Sequence, residues 1–280
     1  MPSYRFVYAD VFTDRALAGN QVAVFTDARD IPERLLQLLA REVGFSETVF
    51  VYPPAGGGDV RIRIFTPGTE LPFAGHPTLG SAFVLAAPLQ LPAIALETGA
   101  GVVPVELERD ENGRIVFGRM SQPLPSVEPY AQGEELLRAL GVRSELPVEV
   151  YDNGIRHVYV ALAEEAAVAA LRPALASLAQ FGLVGINCFA GSGTRWKTRM
   201  FWPQDGFEDA ATGSAAGPLA LHLARHGRIG WGEQIEIRQG EEIARPSRLY
   251  ARAEGSAAGA ERVEVGGSAV IVARGEFRLP

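Results

Sequence analysis

His76–Pro88, "HPTLGSAFVLAAP", contains no Asp, Glu, Lys or Arg. A helix that is apolar all round is buried on every side. Gly80, Ser81 and Ala82 make this one thin, so that other elements can close tightly around it. The run before it, "VRIRIFTPG" (60–68), reads as a strand ending in a turn. Beyond it, "GVVPVELERDENGRIVFGRM" (101–120) reads as a hairpin turning at Glu111-Asn112-Gly113. A second stretch of the same design, "GFEDAATGSAAGPLALHLARHG" (206–227), again follows a strand, "WKTRMFWP" (196–203), and a glycine turn. The two stretches are too different to be a sequence repeat. They are alike enough in plan to predict an α+β protein of two lobes, each a curved sheet around a central buried helix.

The rest of the chain fits that plan. "SYRFVYADVF" (3–12) alternates as a strand, "QVAVFTDA" (21–28) follows, and "DIPERLLQLLAREVG" (30–44) has leucines at helical spacing. Asp30 is placed to cap that helix, Pro32 to sit in its first turn and Gly44 to end it. "SETVFVYPP" (46–54) is a strand with Glu47 at its entrance. The proline-rich "SQPLPSVEPYAQG" (121–133) is the best boundary, giving lobes 1–120 and 121–267, with a final strand near 268–280 free to return to the first. In the second lobe "EELLRALG" (134–141) is a short helix, and "EVYDNGIRHVYVAL" (149–162) is a strand pair across Asp152-Asn153-Gly154. "EEAAVAALRPALASLAQFG" (164–182) is helical with a break at Pro173, "LVGINCFAG" (183–191) is a strand, and further strands close the chain.

Composition narrows the function. Apolar residues make up 47% of 280 residues, and the net charge is −7 with both signs mixed along the chain. With no Lys/Arg-rich block, nucleic acid and anionic membranes are not expected partners. The opening "MPSYRFVYAD" has neither a charged nor an apolar leader-like region, and no apolar run is long enough to span a bilayer. The expectation is a soluble cytoplasmic protein that handles a small molecule. A single cysteine, Cys188, rules out an internal disulfide or a cysteine-rich metal site.

Helix starts leave N–H groups unpaired and partially positive, and glycines let a ligand approach them. Two such starts across a cleft would hold a substrate carboxylate. The glycines are too few, and a P-loop lysine is missing, for a nucleotide phosphate. The competing reading is that the glycines only permit close packing. Around the turns stand His76, Asp209, Ser214 and, at a strand entrance, Glu47. Each has a plain alternative: Glu47 as a solvated strand end, Asp209 and Ser214 as caps, His76 as a structural histidine at a helix start. His157 in "RHVYV" reads as a packed strand residue and Cys188 as core. His222 and His226 are four apart, a spacing able to hold a metal, but no HExxH pattern joins them. They read as surface or packing residues.

The segments "ALAGNQVAVF", "GFSETVFV", "RIFTPGTELPFAGHPTLGSA", "NCFAG", "RWKTRMFWP" and "FEDAATGSAAGPLALHLARHG", in this order, resemble the phenazine-biosynthesis PhzF-like family. The resemblance runs from the first strand to the last. Ala210 and Gln21 stand where many relatives have Pro, which points to the phenazine enzyme rather than the family at large. The resemblance implies the diaminopimelate-epimerase fold with the active site in the cleft, a homodimer, and no cofactor or metal. The implied activity is isomerisation of trans-2,3-dihydro-3-hydroxyanthranilate to its amino-oxocyclohexene carboxylate tautomer. It makes Glu47 the acid–base group, His76 and Asp209 substrate-holding residues, and Ser214 with the backbone of Gly75 and Gly213 further ligand contacts; Asn20 is a weaker transfer.

The residue inventory agrees with that chemistry. Epimerases of this fold invert a centre with two cysteines, and this chain has one. A proton moved along one face of a ring needs a single base, and burial would raise a carboxyl such as Glu47 toward working pH. Two alternatives stay open: a relative acting on another small amino or hydroxy acid, and a non-catalytic small-acid-binding protein.

Overall fold

The computed structural model describes residues 2–182 and 184–279. Met1, Leu183 and Pro280, which the expected lobes and the strand expected from Leu183 include, lie outside the described residues. In chain order the elements begin with β1 (Ser3–Val11), β2 (Asn20–Phe25), α1 (Glu33–Val43), β3 (Glu47–Tyr52), β4 (Val60–Phe65) and β5 (Glu70–Leu71). Next are α2 (Gly75–Ala86), β6 (Ala93–Thr98), β7 (Gly101–Arg109), β8 (Ile115–Gln122), β9 (Ser126–Pro129) and α3 (Gly133–Leu140). Then come β10 (Glu149–Asp152), β11 (Arg156–Ala161), α4 (Glu165–Ala170), α5 (Leu175–Leu178), β12 (Gly185–Ser192), β13 (Arg195–Trp202) and β14 (Phe207–Asp209). The last are α6 (Gly213–Arg225), β15 (Ile235–Gln239), β16 (Ser247–Ser256), β17 (Gly259–Gly267) and β18 (Ala269–Arg278). Two compact units result: residues up to Ser121 together with those from Gly266 onward, and Gln122–Val265.

In the first unit β18, β1, β2, β3, β4, β6, β7 and β8 are successive neighbours. Two of these pairings, β2 with β3 and β4 with β6, are parallel. Parallel neighbours need a crossover, usually a helix. The crossovers here contain α1 and α2. α2 touches β1, β2, β3, β6, β7 and β18. The expectation that this helix is thin because it is enclosed holds: a Cβ on Gly80 would lie 2.8 Å from methyls of both Val11 and Val22. α1 covers the outside through Leu36, Leu39 and Ala40, which join Phe25, Phe50 and Phe65 in one cluster.

The second unit repeats the scheme. β9, β10, β11, β12, β13, β15 and β16 are successive neighbours, with β11–β12 and β13–β15 parallel. α4 and α5 form the first crossover, broken at Pro173 as expected, and α6 lies in the second. α6 carries Pro218 in its interior, which has no N–H to give to the carbonyl of Ser214. Asn153 Nδ2 donates to that carbonyl instead, at 2.9 Å. Gln122 Nε2 and Tyr159 OH donate to the neighbouring carbonyls of Gly213 and Ala215, at 2.8 and 2.7 Å. The first turn of α6 is thus satisfied by side chains from its surroundings.

Some local expectations need correction. Asp30 does not cap α1, whose N-cap is Pro32 with extended ψ of 136°; the helix starts two residues later than expected and has Glu33 in its first turn. Gly44 does end it, with φ of 71° and its N–H on the Ala40 carbonyl. The strand β6 is not legible in the sequence, because "AIALET" lacks alternation. Among the described residues no helix is long and apolar enough to cross a membrane.

Candidate active site

Glu47 opens β3, where the parallel register places it opposite Val22 of β2. Its side chain is 14% exposed, so the solvated-end reading fails. Its Oε2 lies 3.3 Å from Nε2 of His76, in the first turn of α2. His76 is buried, and its Nε2 is also 3.2 Å from the Gln21 carbonyl, an acceptor only. Its Nδ1 faces the Nδ2 amide of Asn20 at 3.2 Å, and Asn20 Oδ1 in turn accepts from Ser46 Oγ at 3.1 Å. A carbonyl on one ring nitrogen and an amide donor on the other fix the tautomer: the proton is on Nε2, directed at the Gln21 carbonyl. Burial holds the ring down to about 3, against the opposing Gln21 hydrogen bond, so His76 is neutral at working pH.

His76 therefore has both ring nitrogens engaged by protein groups, and a substrate contact would replace one of them. Sequence reasoning does not single out Ser46; only its position beside Glu47 could have flagged it.

The second unit has a parallel arrangement. Asp209 ends β14, buried, and its Oδ2 accepts from Thr212 Oγ1 at 2.7 Å. It does not cap α6, which begins four residues later. Gln239 of β15 locks the turn: its Nε2 donates to the Asp209 carbonyl and to Thr212 Oγ1, and its Oε1 accepts from the Thr212 N–H. Ser214, buried in the first turn of α6, has its Oγ 2.9 Å from Nε2 of His157. His157 Nδ1 faces Asn187 Nδ2 at 3.3 Å, and that amide also donates to the carbonyls of Val158 and Gly185. His157 consequently carries its proton on Nε2 and donates to Ser214, leaving the serine hydrogen to turn toward another acceptor. Burial holds His157 down to about 3 as well.

His157 sits in β11, as its sequence context implies, but it is more than packing. Its partners Asn187 and Ser214 lie far away in sequence, which hid the link. Neither N-cap residue, Ala74 of α2 nor Thr212 of α6, caps its helix through its side chain, and the N–H groups of Gly75 and His76, and of Gly213 and Ser214, open the first turns. Such turns attract anions.

The other reactive side chains have different fates. Cys188 is core, as expected, its thiol pushed up to about 12 by burial. His222, expected at the surface or in plain packing, is fully buried against Glu149 and Tyr151.

The chain matches the family model described as "Phenazine biosynthesis-like protein" over residues 9–275. It is 52% identical to the trans-2,3-dihydro-3-hydroxyanthranilate isomerase of Pseudomonas aeruginosa, over 99% of this chain and 100% of that protein. The crystal structure of a PhzF-family phenazine biosynthesis protein from Bacillus anthracis superposes with a TM-score of 0.84, covering 100% of both chains at 25% identity. A hydroxyproline epimerase from Agrobacterium vitis shares the fold alone, with a TM-score of 0.67 at 12% identity over 98% of this chain and 92% of that one. Fold and full-length relatives make this chain an isomerase with the diaminopimelate-epimerase-like α+β fold. Within that class it belongs to the phenazine biosynthesis-like family.

Proposed function

We propose that this isomerase converts trans-2,3-dihydro-3-hydroxyanthranilate to its amino-oxocyclohexene carboxylate tautomer, with Glu47 as the single proton carrier. Glu47 takes the hydrogen at C3 of the ring and returns it at C1 on the same face. The former C3 hydroxyl is then an enol, which becomes a ketone as its proton is lost and the adjacent ring carbon gains one. No net redox change occurs, and the proton shift itself calls for neither metal nor organic cofactor.

The observation that carries the reading is the Glu47 carboxylate 3.3 Å from a neutral, Asn20-held imidazole in the first turn of α2. A protonated histidine there would pair with the carboxylate and weaken it as a base. The neutral ring places no positive charge beside it. Each unit offers one helix start suited to an anion, at Gly75 in the first and at Gly213 in the second, and the family resemblance supports Asp209 and Ser214 as substrate contacts. The relationship to the Pseudomonas aeruginosa enzyme supports the substrate, and the family resemblance supports a cytoplasmic homodimer, which sedimentation would reveal as twice the chain mass of 30.0 kDa.

Glu47→Gln should lower turnover of dihydro-hydroxyanthranilate by about 10²–10⁴-fold with the fold intact, the usual worth of a positioned base. Turnover of the parent in D₂O should place deuterium on the ring. Activity of the variant near the parent level would remove Glu47 from the mechanism.

A further inference from the structure

A second cluster of titratable side chains stands apart from the catalytic residues. His222 and His226 project from one face near the C-terminal end of α6, one turn apart. His222 lies eight residues beyond Ser214 (222 − 214), about 12 Å along the helix at 1.5 Å per residue. Glu149, at the start of β10, reaches both rings with one oxygen. Its Oε2 is 3.1 Å from His222 Nδ1 and 3.0 Å from His226 Nε2. The three ligand atoms lie within 4.8 Å of one another.

That oxygen is overcrowded. Tyr151 OH and Arg225 Nη1 also lie 2.9 Å from it. One carboxylate oxygen offers two lone pairs, and these two donors suffice to fill them. Two imidazole nitrogens then crowd the same anionic oxygen, and His222 Nδ1 has the Tyr151 hydroxyl 3.1 Å away as a second polar neighbour. His222 is fully buried, and its other nitrogen, Nε2, has no hydrogen-bond partner. Its ring is held in place, stacked on Tyr159 at 5.7 Å and meeting Phe189 edge to face at 5.7 Å. A cation among the three atoms turns both imidazole lone pairs and the carboxylate charge from a conflict into a ligand set.

We propose that Glu149, His222 and His226 form a site for a first-row divalent metal ion, with zinc the best fit, bound by Glu149 Oε2, His222 Nδ1 and His226 Nε2. Two imidazoles and one carboxylate are a ligand set that zinc accepts, with a water in the fourth position. Tetrahedral bonds of about 2.0–2.1 Å place ligand atoms about 3.3 Å apart, close to the 3.1 and 3.0 Å that already separate Glu149 Oε2 from His222 Nδ1 and His226 Nε2. His222 carries its proton on Nε2 in this state, directed at the surrounding aromatic rings. Arg225, whose side chain is 35% exposed, swings into solvent with its charge. The ion ties β10 to the end of α6 and so steadies the helix whose other end carries Ser214.

The test uses the full-length, tag-free protein after chelation and dialysis. Titrated with Co²⁺, it should bind one equivalent with the strong visible absorption of four-coordinate cobalt, and Zn²⁺ should displace it. Zn²⁺ should also raise the thermal unfolding midpoint. His226→Gln, at a side chain 20% exposed, should fold and bind at least tenfold more weakly; Glu149→Gln should do the same. Arg225→Gln removes the competing charge and should bind several-fold more tightly, which a purely structural ion-pair cluster does not predict. Absence of saturable one-equivalent binding, parent-like affinity in His226→Gln, or weakened binding in Arg225→Gln would overturn the site. Should Glu149→Gln fail to fold, the other two variants decide.

Discussion

His76 in the first unit and His157 in the second are both buried, neutral and held by an asparagine amide at Nδ1. Each has a folded pKa of about 3 against an ordinary value of 6.5. The unfolded chain therefore binds protons that the folded chain does not. Stability from these two groups is complete above about pH 6.5 and is lost as pH falls from there toward about 3. Each contributes up to about 1.4 kcal/mol per pH unit in that window, so together they give a slope of roughly 2–3 kcal/mol per unit. Urea unfolding of the parent and of His157→Gln, followed from about pH 7 down to about pH 5, should show a slope in the variant lower by about 1 kcal/mol per unit. Equal slopes would mean that the buried rings do not set the acid limb. Sequence context named Glu47, His76, Asp209 and Ser214 because each lies beside a glycine turn or a strand entrance. It could not name His157 as a partner of Ser214. That contact joins β11 to α6 across 57 residues, and only the sheet register brings them together.

At the scale of elements, the two thin helices were legible because an uncharged run rich in Gly and Ala has few stable uses other than a helix enclosed on all sides. The caps were not legible: Asp30 is a good capping residue two positions too early, and Pro32 fixed the start instead. Pro218 is the more instructive case. An interior proline in a buried helix should cost about 3 kcal/mol or more, yet α6 continues to Arg225. Asn153 provides the missing donor to the Ser214 carbonyl. Asn153→Ala should destabilise the protein by about 1–3 kcal/mol, since it leaves that buried carbonyl unsatisfied. Adding Pro218→Ala should recover a large part of the loss, because an alanine there restores an N–H at the position the carbonyl expects. The comparison is a double-mutant cycle of urea midpoints. Additive effects of the two substitutions would show that Asn153 acts independently of the proline.

At the scale of the whole molecule, the chain order and the compact units do not coincide. The second unit is one continuous stretch, Gln122–Val265, whereas the first closes only when the chain returns in β18. β18 pairs with β1 from Ala269 opposite Val11 to Arg278 opposite Ser3, and it touches α2. Phe277 and Leu279 add to the cluster around Phe25. Without β18, β1 becomes an open edge and the enclosure of α2 is broken, so the first unit loses part of the burial that stabilises its uncharged helix. All three tryptophans, Trp196, Trp202 and Trp231, lie in the second unit, so their fluorescence reports on that unit alone. A chain ending at Ser268 should keep native-like tryptophan emission and a cooperative unfolding transition in urea. It should lose a large share of its far-UV circular dichroism and essentially all turnover, because Glu47 and His76 belong to the first unit. Retained activity would show that β18 is not needed to close the first unit, and tryptophan emission that turns unfolded along with the rest would show that the second unit does not fold without the first.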